Sequence, residues 1–487
     1  MEILLIPSFN IVEGRLEPFT PYGILSLKAS THDLNCNVTI PLFSSEEYEK
    51  KFTASEDFID WFVGTQDFKS FDVVGFSVVC NSSHYSLDIA RRIKGINKNI
   101  TVVFGGPYVT KLGISVLAAF DFVDAIFEGE GEVSFRKFAE KNIGKNKPYS
   151  FNGIPGVRTR SPLFKPSIVI DNLDHLPSIE NIPDYFQWIN RVREIVPDGS
   201  AVPLEATRGC PLKCSFCSTK QVWGPKVRRK SAEFLVGEMD RIGSKTNTTF
   251  FSLIGDNVGV PRNPFIKFCH ELVECNNHFT WGCSMKLDKI KEQNLDTMWE
   301  AGCRAIFIGI ESSSQTTLNK VNKAAKLEDE IRMTYAAIER GFNVETSFII
   351  GFPWETEEDI KNTYNMHCEL MNSGAFRSQV SLLSPIPGTE IVSGEDVVYD
   401  GLFSYFTEDG LELSDLHLRW IETYPELFSH FGRYSTPNVS KAFLKAYRDA
   451  SSQMAALHAA KKEAIIEGGN HGRALGATYP YGREHVN

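Results

Sequence analysis

Three cysteines, Cys210, Cys214 and Cys217, lie in one short stretch, Arg208-Gly-Cys-Pro-Leu-Lys-Cys-Ser-Phe-Cys217. The C-x3-C-x2-C spacing lets a single tight loop give one thiolate to each of three irons of a [4Fe–4S] cube. The fourth iron then has no protein ligand and is open to a small molecule. Four-thiolate sites instead close the cluster for electron transfer. A structural zinc loop is the competing reading, but zinc asks for a second paired C-x2-C or two histidines further on. No such partner follows at that spacing. With 10 cysteines in 487 residues, three within one such loop do not look accidental.

The polar and glycine-rich turns point the same way. Pro21-Tyr22-Gly23, the turn opened by Ser77, Gly105-Gly106-Pro107 and Glu128-Gly129-Glu130 each follow an apolar run in the first third of the chain. Glycines there let a backbone approach a bulky ligand, and exposed amides hold phosphate; the plainer reading is that Gly-Gly-Pro only turns the chain. No G-x-G-x-x-G follows the first strand, so a nicotinamide or flavin site has little support. Further on, Gly255-Asp256-Asn257, Glu311-Ser312 and Gly351-Phe352-Pro353 close later apolar runs.

The elements that must position these residues form two alternating series. Residues 1–145 read as five β-α units, with strands at 2–6, 37–41, 72–79, 100–104 and 125–127 and helices at 22–30, 46–63, 83–96 and 133–141. The run at 72–79 is near-continuously apolar, as a central parallel strand covered on both faces requires. The series predicts an α/β fold with a Rossmann-like, doubly wound parallel sheet whose ligands bind beyond the carboxyl ends of the strands. Residues 146–200, with a small hairpin at Gly153-Ile-Pro-Gly156 and several prolines, read as an ordered linker. A second series over 201–390 has six β-α units and predicts a partial (β/α)6 barrel, with the cysteine loop at the end of its first strand. In such barrels the chemistry sits at the carboxyl ends of the strands. Residues 391–487 read as a mostly helical region, with a helix at 440–466 and a loose Gly-rich end.

A length of 487 residues suggests two or three domains, and 42% hydrophobic with 23% charged residues is the balance of a soluble globular protein. The net charge of −10 argues against a nucleic-acid partner. No run reaches membrane-spanning length, and the start Met1-Glu-Ile-Leu-Leu-Ile-Pro7 reads as a buried strand rather than a signal peptide. Scattered cysteines without a disulfide framework indicate a reducing, cytoplasmic setting. The seven cysteines outside the loop read as small packed hydrophobes. The basic run Lys226, Arg228, Arg229, Lys230 reads by default as a solvated lead-in to a helix, with contact to a carboxylate or phosphate as the alternative.

Taken together, residues 1–390 resemble the cobalamin-dependent radical S-adenosylmethionine enzymes, which join an N-terminal cobalamin-binding domain to a radical barrel. The resemblance rests on the cysteine motif, supported in order by Gly105-Gly106-Pro107, Glu128-Gly-Glu130, Gly309-Ile-Glu-Ser312, Gly351-Phe-Pro353 and Pro385-Ile-Pro-Gly-Thr389. It implies domains at 1–145 (cobalamin), 146–200 (linker), 201–390 (barrel) and 391–487 (substrate and closure). It implies that Cys210, Cys214 and Cys217 hold the cluster, whose open iron chelates S-adenosylmethionine. Phe216, Asp256, Glu311, Ser312, Ile349, Gly351 and Phe352 would then contact S-adenosylmethionine, although Glu311 and Asp256 equally suit structural roles. Tyr22, Gly23, Ser77, Gly105, Gly106, Pro107, Glu128 and Gly129 would line the cobalamin site.

The function so implied is a methyltransferase carrying a methyl group from methylcobalamin to an unactivated carbon, or to phosphorus, by way of a 5′-deoxyadenosyl radical. Its partners would be a small-molecule or peptide substrate and an electron donor such as flavodoxin or ferredoxin. Ring rearrangement or cyclisation without methyl transfer is the alternative chemistry, and a non-catalytic cobalamin sensor the alternative class. The sequence departs from many cobalamin proteins in lacking Asp-x-His-x-x-Gly; His84 follows the third strand without that pattern, and the resemblance leaves the lower cobalt face without a histidine.

Overall fold

Alternate residues of the first strand serve two different cores: Ile3 and Leu5 join one apolar cluster, Leu4 and Ile6 the other. A strand covered on both faces needs an unbroken apolar run, and this is why the sequence shows no polar alternation here. The computed structural model describes residues 1–196, 201–276, 278–393, 397–398, 410–434 and 438–468. The Gly-rich end at 469–487 and the aromatic stretch at 399–406 lie outside the described residues.

In the first sheet β1 (Glu2–Ile6), β2 (Asn37–Thr39), β3 (Val73–Ser77), β4 (Thr101–Gly105) and β5 (Ala125–Phe127) run parallel in spatial order β2-β1-β3-β4-β5. The strand order reverses at β1/β3, the place where doubly wound sheets open a crevice for ligands. The loops leaving that crevice are residues 7–21 and 78–82.

Two expectations are corrected here. The helix expected over 46–63 is two helices, Ser45–Glu49 and Ser55–Thr65, because the chain between them leaves to bridge Arg15 at Lys51 and to donate from Phe52 N to the Gly14 carbonyl at 2.8 Å. Among the described residues of this stretch, 146–196, the expected hairpin at Gly153–Gly156 is not formed; instead β6 (Val157–Arg158) adds to the first sheet antiparallel to β5, and Pro183–Ile195 forms a helix with Pro183 at its first turn.

The second sheet is parallel throughout, in order β12-β11-β10-β9-β8-β7, from β7 (Val202–Glu205), β8 (Phe250–Ile254), β9 (Thr280–Ser284), β10 (Cys303–Glu311), β11 (Asn343–Ile350) and β12 (Arg377–Leu382). Strands β7 and β12 stand at its two ends, which makes the barrel partial. Along β11, Val344, Phe348 and Ile350 pack outward into the core, while Ile349 packs with the cysteine loop.

The chain after the barrel spans both sheets. The helix Lys441–Gly468 packs beside β12 and the helix Glu357–Asn372, with Ser451 Oγ 3.1 Å from His367 Nε2. The helix Asp415–Thr423 docks on the first domain, where Ser55 Oγ lies 3.2 Å from His417 Nδ1. Among the described residues no helix is long and apolar enough to cross a membrane.

Candidate active site

Strand β7 delivers the chain to a two-residue ribbon in which Thr207–Arg208 pairs antiparallel with Arg228–Arg229, and the cysteine loop emerges from that base. Gly209 has φ +92°, and a side chain there would press on the Lys226 carbonyl. The loop is pinned by three main-chain bonds: Cys217 N to the Cys214 carbonyl (3.2 Å), Ser215 N to Val321 (2.9 Å) and Ile391 N to Ser215 (3.0 Å).

Cys210, Cys214 and Cys217 are free and half-buried. Burial pushes their thiols up, Cys210 to about 11 and Cys214 to about 12, so loading with iron must displace protons. Among the described residues no three His, Cys, Asp or Glu side chains converge as the ligands of one ion would.

Phe216 turns into an apolar shelf with Val321, Ile349, Phe352, Leu383 and Ile391, against which Cys214 and Cys217 also pack. Its ring lies 6.2 Å from that of Phe352, which stacks on Trp354 at 5.7 Å. Three residues expected at the S-adenosylmethionine site are thus brought together. Gly351, at φ +96°, and Phe352 donate their amides to Glu355 Oε2 at 2.7 and 3.0 Å. Glu355 is fully buried, and burial pushes its carboxyl up to about 8.

Glu311 ends β10 in the left-handed region, φ +73°, at a break in the β10/β11 register. Lys323 donates to Glu311 Oε1 at 2.7 Å and to the Gly309 carbonyl at 2.6 Å. Burial opposes the Lys323 charge, but Glu311 and the Cys214 thiol hold the ammonium above its usual range. Glu311 Oε2 is buried with no partner. An unsatisfied carboxylate oxygen beside the cluster loop is a ready acceptor for a cationic or hydroxylated ligand, so the donor set fits S-adenosylmethionine. Lys323 escaped the sequence reading because nothing marks it among neighbouring lysines.

Asp256 accepts from Thr219 Oγ1 at 2.8 Å, and its charge helps to raise Cys210 and Cys217. Ser312 Oγ accepts the Ser314 amide at 3.1 Å and shapes the turn after β10.

On the first sheet, Gly106 has φ +97°, and a Cβ there would sit 2.8 Å from both Val78 N and Val78 O. The close approach that fixes this glycine is to the chain's own backbone: Val78 N donates to Gly105 (2.8 Å) and Tyr108 N to Val78 (3.1 Å). Ser77 lies beside it, and Pro107 opens the helix Pro107–Ala119. Glu128 is paired with Arg158, and Gly129 donates to Thr110 Oγ1 at 3.1 Å. Gly23 faces open space, whereas Tyr22 is half-buried; loss of water around its phenol, with Glu238 and Glu205 nearby, raises it well above its usual range. The His84 ring is fully buried against His417 and Phe431, with neither nitrogen paired. It lies under the C-terminal segment, away from solvent.

The solvated reading of the basic run is corrected. Arg228 pairs with Glu130 and Lys230 with Glu238 in buried contacts, and Arg229 is pushed down to about 10 by burial; only Lys226, paired with Asp171, is exposed. Cys275 is likewise exposed rather than packed.

The carboxyl edges of the two sheets face each other. Arg208 below the cysteine loop reaches Glu130 and Glu132 after β5, and Ser429 and His430 join the barrel end, through Pro385 O (2.5 Å) and Ser384 Oγ (3.2 Å).

Residues 15–139 match the B12 binding domain and residues 204–367 the radical SAM superfamily. An uncharacterized methyltransferase from Pyrococcus horikoshii is 27% identical over 328 residues, 66% of this chain and 68% of the relative. The anaerobic magnesium-protoporphyrin IX monomethyl ester cyclase of Rubrivivax gelatinosus is 28% identical over 309 residues, 61% of this chain and 54% of the relative. The chain thus spans little more than half the length of the second. The radical S-adenosylmethionine methyltransferase TsrM of Kitasatospora setae, solved with cobalamin and a [4Fe–4S] cluster bound, shares the fold at a TM-score of 0.67 and 17% identity, over 92% of this chain and 90% of that one. With the three-cysteine loop at the head of a partial barrel and a B12 binding domain before it, this chain belongs to the cobalamin-dependent radical S-adenosylmethionine enzymes.

Proposed function

We propose that the protein is a methyltransferase acting on an unactivated carbon of a small-molecule or peptide substrate. The observation that carries this reading is that the cysteine loop and the carboxyl edge of the B12-type sheet open toward one another across the buried Arg208 contacts. When bound, the cluster and S-adenosylmethionine supply a hydrogen-abstracting 5′-deoxyadenosyl radical, and cobalamin supplies the methyl group. In this reading domain 1–145 carries cobalamin, 201–390 the cluster and S-adenosylmethionine, and 391–487 closes the chamber. A methyltransferase relative and a methyltransferase fold neighbour support methyl transfer; the cyclase relative supports cyclisation as a second reading.

The chain's own residues have separable tasks. Cys210, Cys214 and Cys217 give their thiolates to the cluster. Glu311, held by Lys323, accepts hydrogen bonds from the amino or ribose groups of S-adenosylmethionine through Oε2. Phe216, Ile349 and Phe352 cover the adenine and exclude water from the reactive carbon. Leu427–Phe431 walls the side between the two sheets. A flavodoxin or ferredoxin in the cytoplasm would supply electrons.

The test is reconstituted protein incubated with cobalamin, reductant, methyl-labelled S-adenosylmethionine and candidate substrates. Label in the product supports methyl transfer, and an unlabelled cyclised product supports the second reading. Alanine at all three cysteines should abolish 5′-deoxyadenosine; its persistence refutes both.

A further inference from the structure

Arg208 stands two residues before the first cluster cysteine and uses all its N–H groups on three carboxylates. Nε and Nη2 donate to Glu205 at 2.8 and 3.1 Å, Nη1 to Glu130 at 2.9 Å and Glu132 at 3.4 Å, and Nη2 to Glu132 at 2.6 Å. The other oxygen of Glu130 accepts from Arg228 Nη1 at 2.5 Å, and Glu132 also accepts from Ser26 Oγ at 2.9 Å. None of these ionised side chains is more than 8% exposed. Glu130 and Glu132 sit after β5, at the cobalamin edge; Arg208 and Arg228 form the paired base of the cysteine loop.

Stability does not explain this arrangement. Each buried ion forfeits several kcal/mol of hydration, and apolar residues of similar size would join two domains at least as firmly. What charged forks provide is direction: a planar guanidinium with every donor fixed admits one orientation of its partners. Chain on the cobalamin side is thereby locked to chain on the cluster side through Arg208, with Arg228 on the second oxygen of Glu130.

We propose that Glu130, Arg208 and Glu132 form a positioning clamp that sets the distance and orientation of the cluster loop relative to the cobalamin site. All five Arg208 donors are taken up by carboxylates, so the clamp is proposed to position the two sites and not to bind a cofactor. It rests on the two-cofactor reading above, and it makes a distinct demand: loosening it should spare steps that need one cofactor and damage those that need both.

The test uses holoprotein carrying cluster and cobalamin, with Glu132→Gln and Arg208→Lys variants checked for iron and cobalamin content. Formation of 5′-deoxyadenosine needs only the cluster and S-adenosylmethionine and should stay within about 2-fold of the parent. Methyl transfer from S-adenosylmethionine to the bound cobalamin, reduced to cob(I)alamin, needs both sites aligned and should fall about 100-fold, as displacement by an ångström does in oriented reactions. Pulsed electron paramagnetic resonance of cob(II)alamin beside the reduced cluster should show a shifted or broadened spin–spin splitting. Equal loss of both reactions, or a splitting unchanged from the parent in loaded Glu132→Gln protein, overturns the clamp. If Arg208→Lys protein fails to load, the Glu132→Gln protein decides. If the parent itself transfers no methyl group to cobalt, the methyltransferase reading fails, and the splitting alone decides the clamp.

Discussion

Lys323 Nζ lies 2.7 Å from Glu311 Oε1, and both side chains are buried beside the cysteine loop. The pair leaves one carboxylate oxygen of Glu311 unpartnered. Lys323→Met should strand a buried carboxylate and cost about 3–5 kcal/mol, read by urea unfolding. Glu311→Gln keeps the shape but loses the charge; S-adenosylmethionine affinity should fall about 10–100-fold in calorimetry, the equivalent of about 1.5–3 kcal/mol for a charge-assisted bond, with iron content unchanged. Undiminished affinity would remove Glu311 from the binding site.

Glu355 gives the barrel a pH dependence. Burial raises its carboxyl from the usual 4.5 to about 8, so the folded state binds its proton more tightly than the unfolded chain does. Stability from this group is therefore full below about 4.5 and is lost as pH rises through about 8, by about 5 kcal/mol at most. Glu355→Gln can still accept the Gly351 and Phe352 amides through its carbonyl oxygen. Denaturant midpoints of that variant should be flatter between pH 5 and 8 than those of the parent.

The buried histidines act in the opposite direction. Burial, with His417 and His430 nearby, holds His84 well below the usual histidine range, and burial pushes His430 down to about 3. Their contribution is present above about 6.5 and is lost as pH falls. Residues 410–434, which cover His84, should show lower amide-exchange protection at pH 5 than at pH 7, once the slower intrinsic exchange at the lower pH is divided out. His84→Phe removes two unpaired nitrogens from an apolar site and should be neutral or stabilising by about 1 kcal/mol, unlike most core substitutions.

Gly106→Ala should destabilise by about 1–3 kcal/mol and weaken cobalamin binding, because the residue is left-handed and closely faces the Val78 backbone. Gly23→Ala, whose Cβ would meet nothing within 4 Å, should change stability little. Thermal melts and cobalamin titration of both variants check the contrast.

The sequence by itself determined what depends on neighbours along the chain. The C-x3-C-x2-C spacing, the apolar run of β3 and the glycine-rich strand ends needed only local spacing and burial periodicity to be read. The resemblance carried by those motifs pointed to Phe216, Ile349 and Phe352 together, and the structure groups them. Only the tertiary structure decided the rest: that Arg208 reaches Glu130 and Glu132 across the domain junction, that Lys323 holds Glu311, that the stretch 46–63 breaks to meet Gly14, and that His417 returns to Ser55. In one dimension a buried arginine with three carboxylate partners is indistinguishable from a solvated charge. Its meaning depends on which distant surfaces remove it from water, and that is fixed only when the two sheets dock.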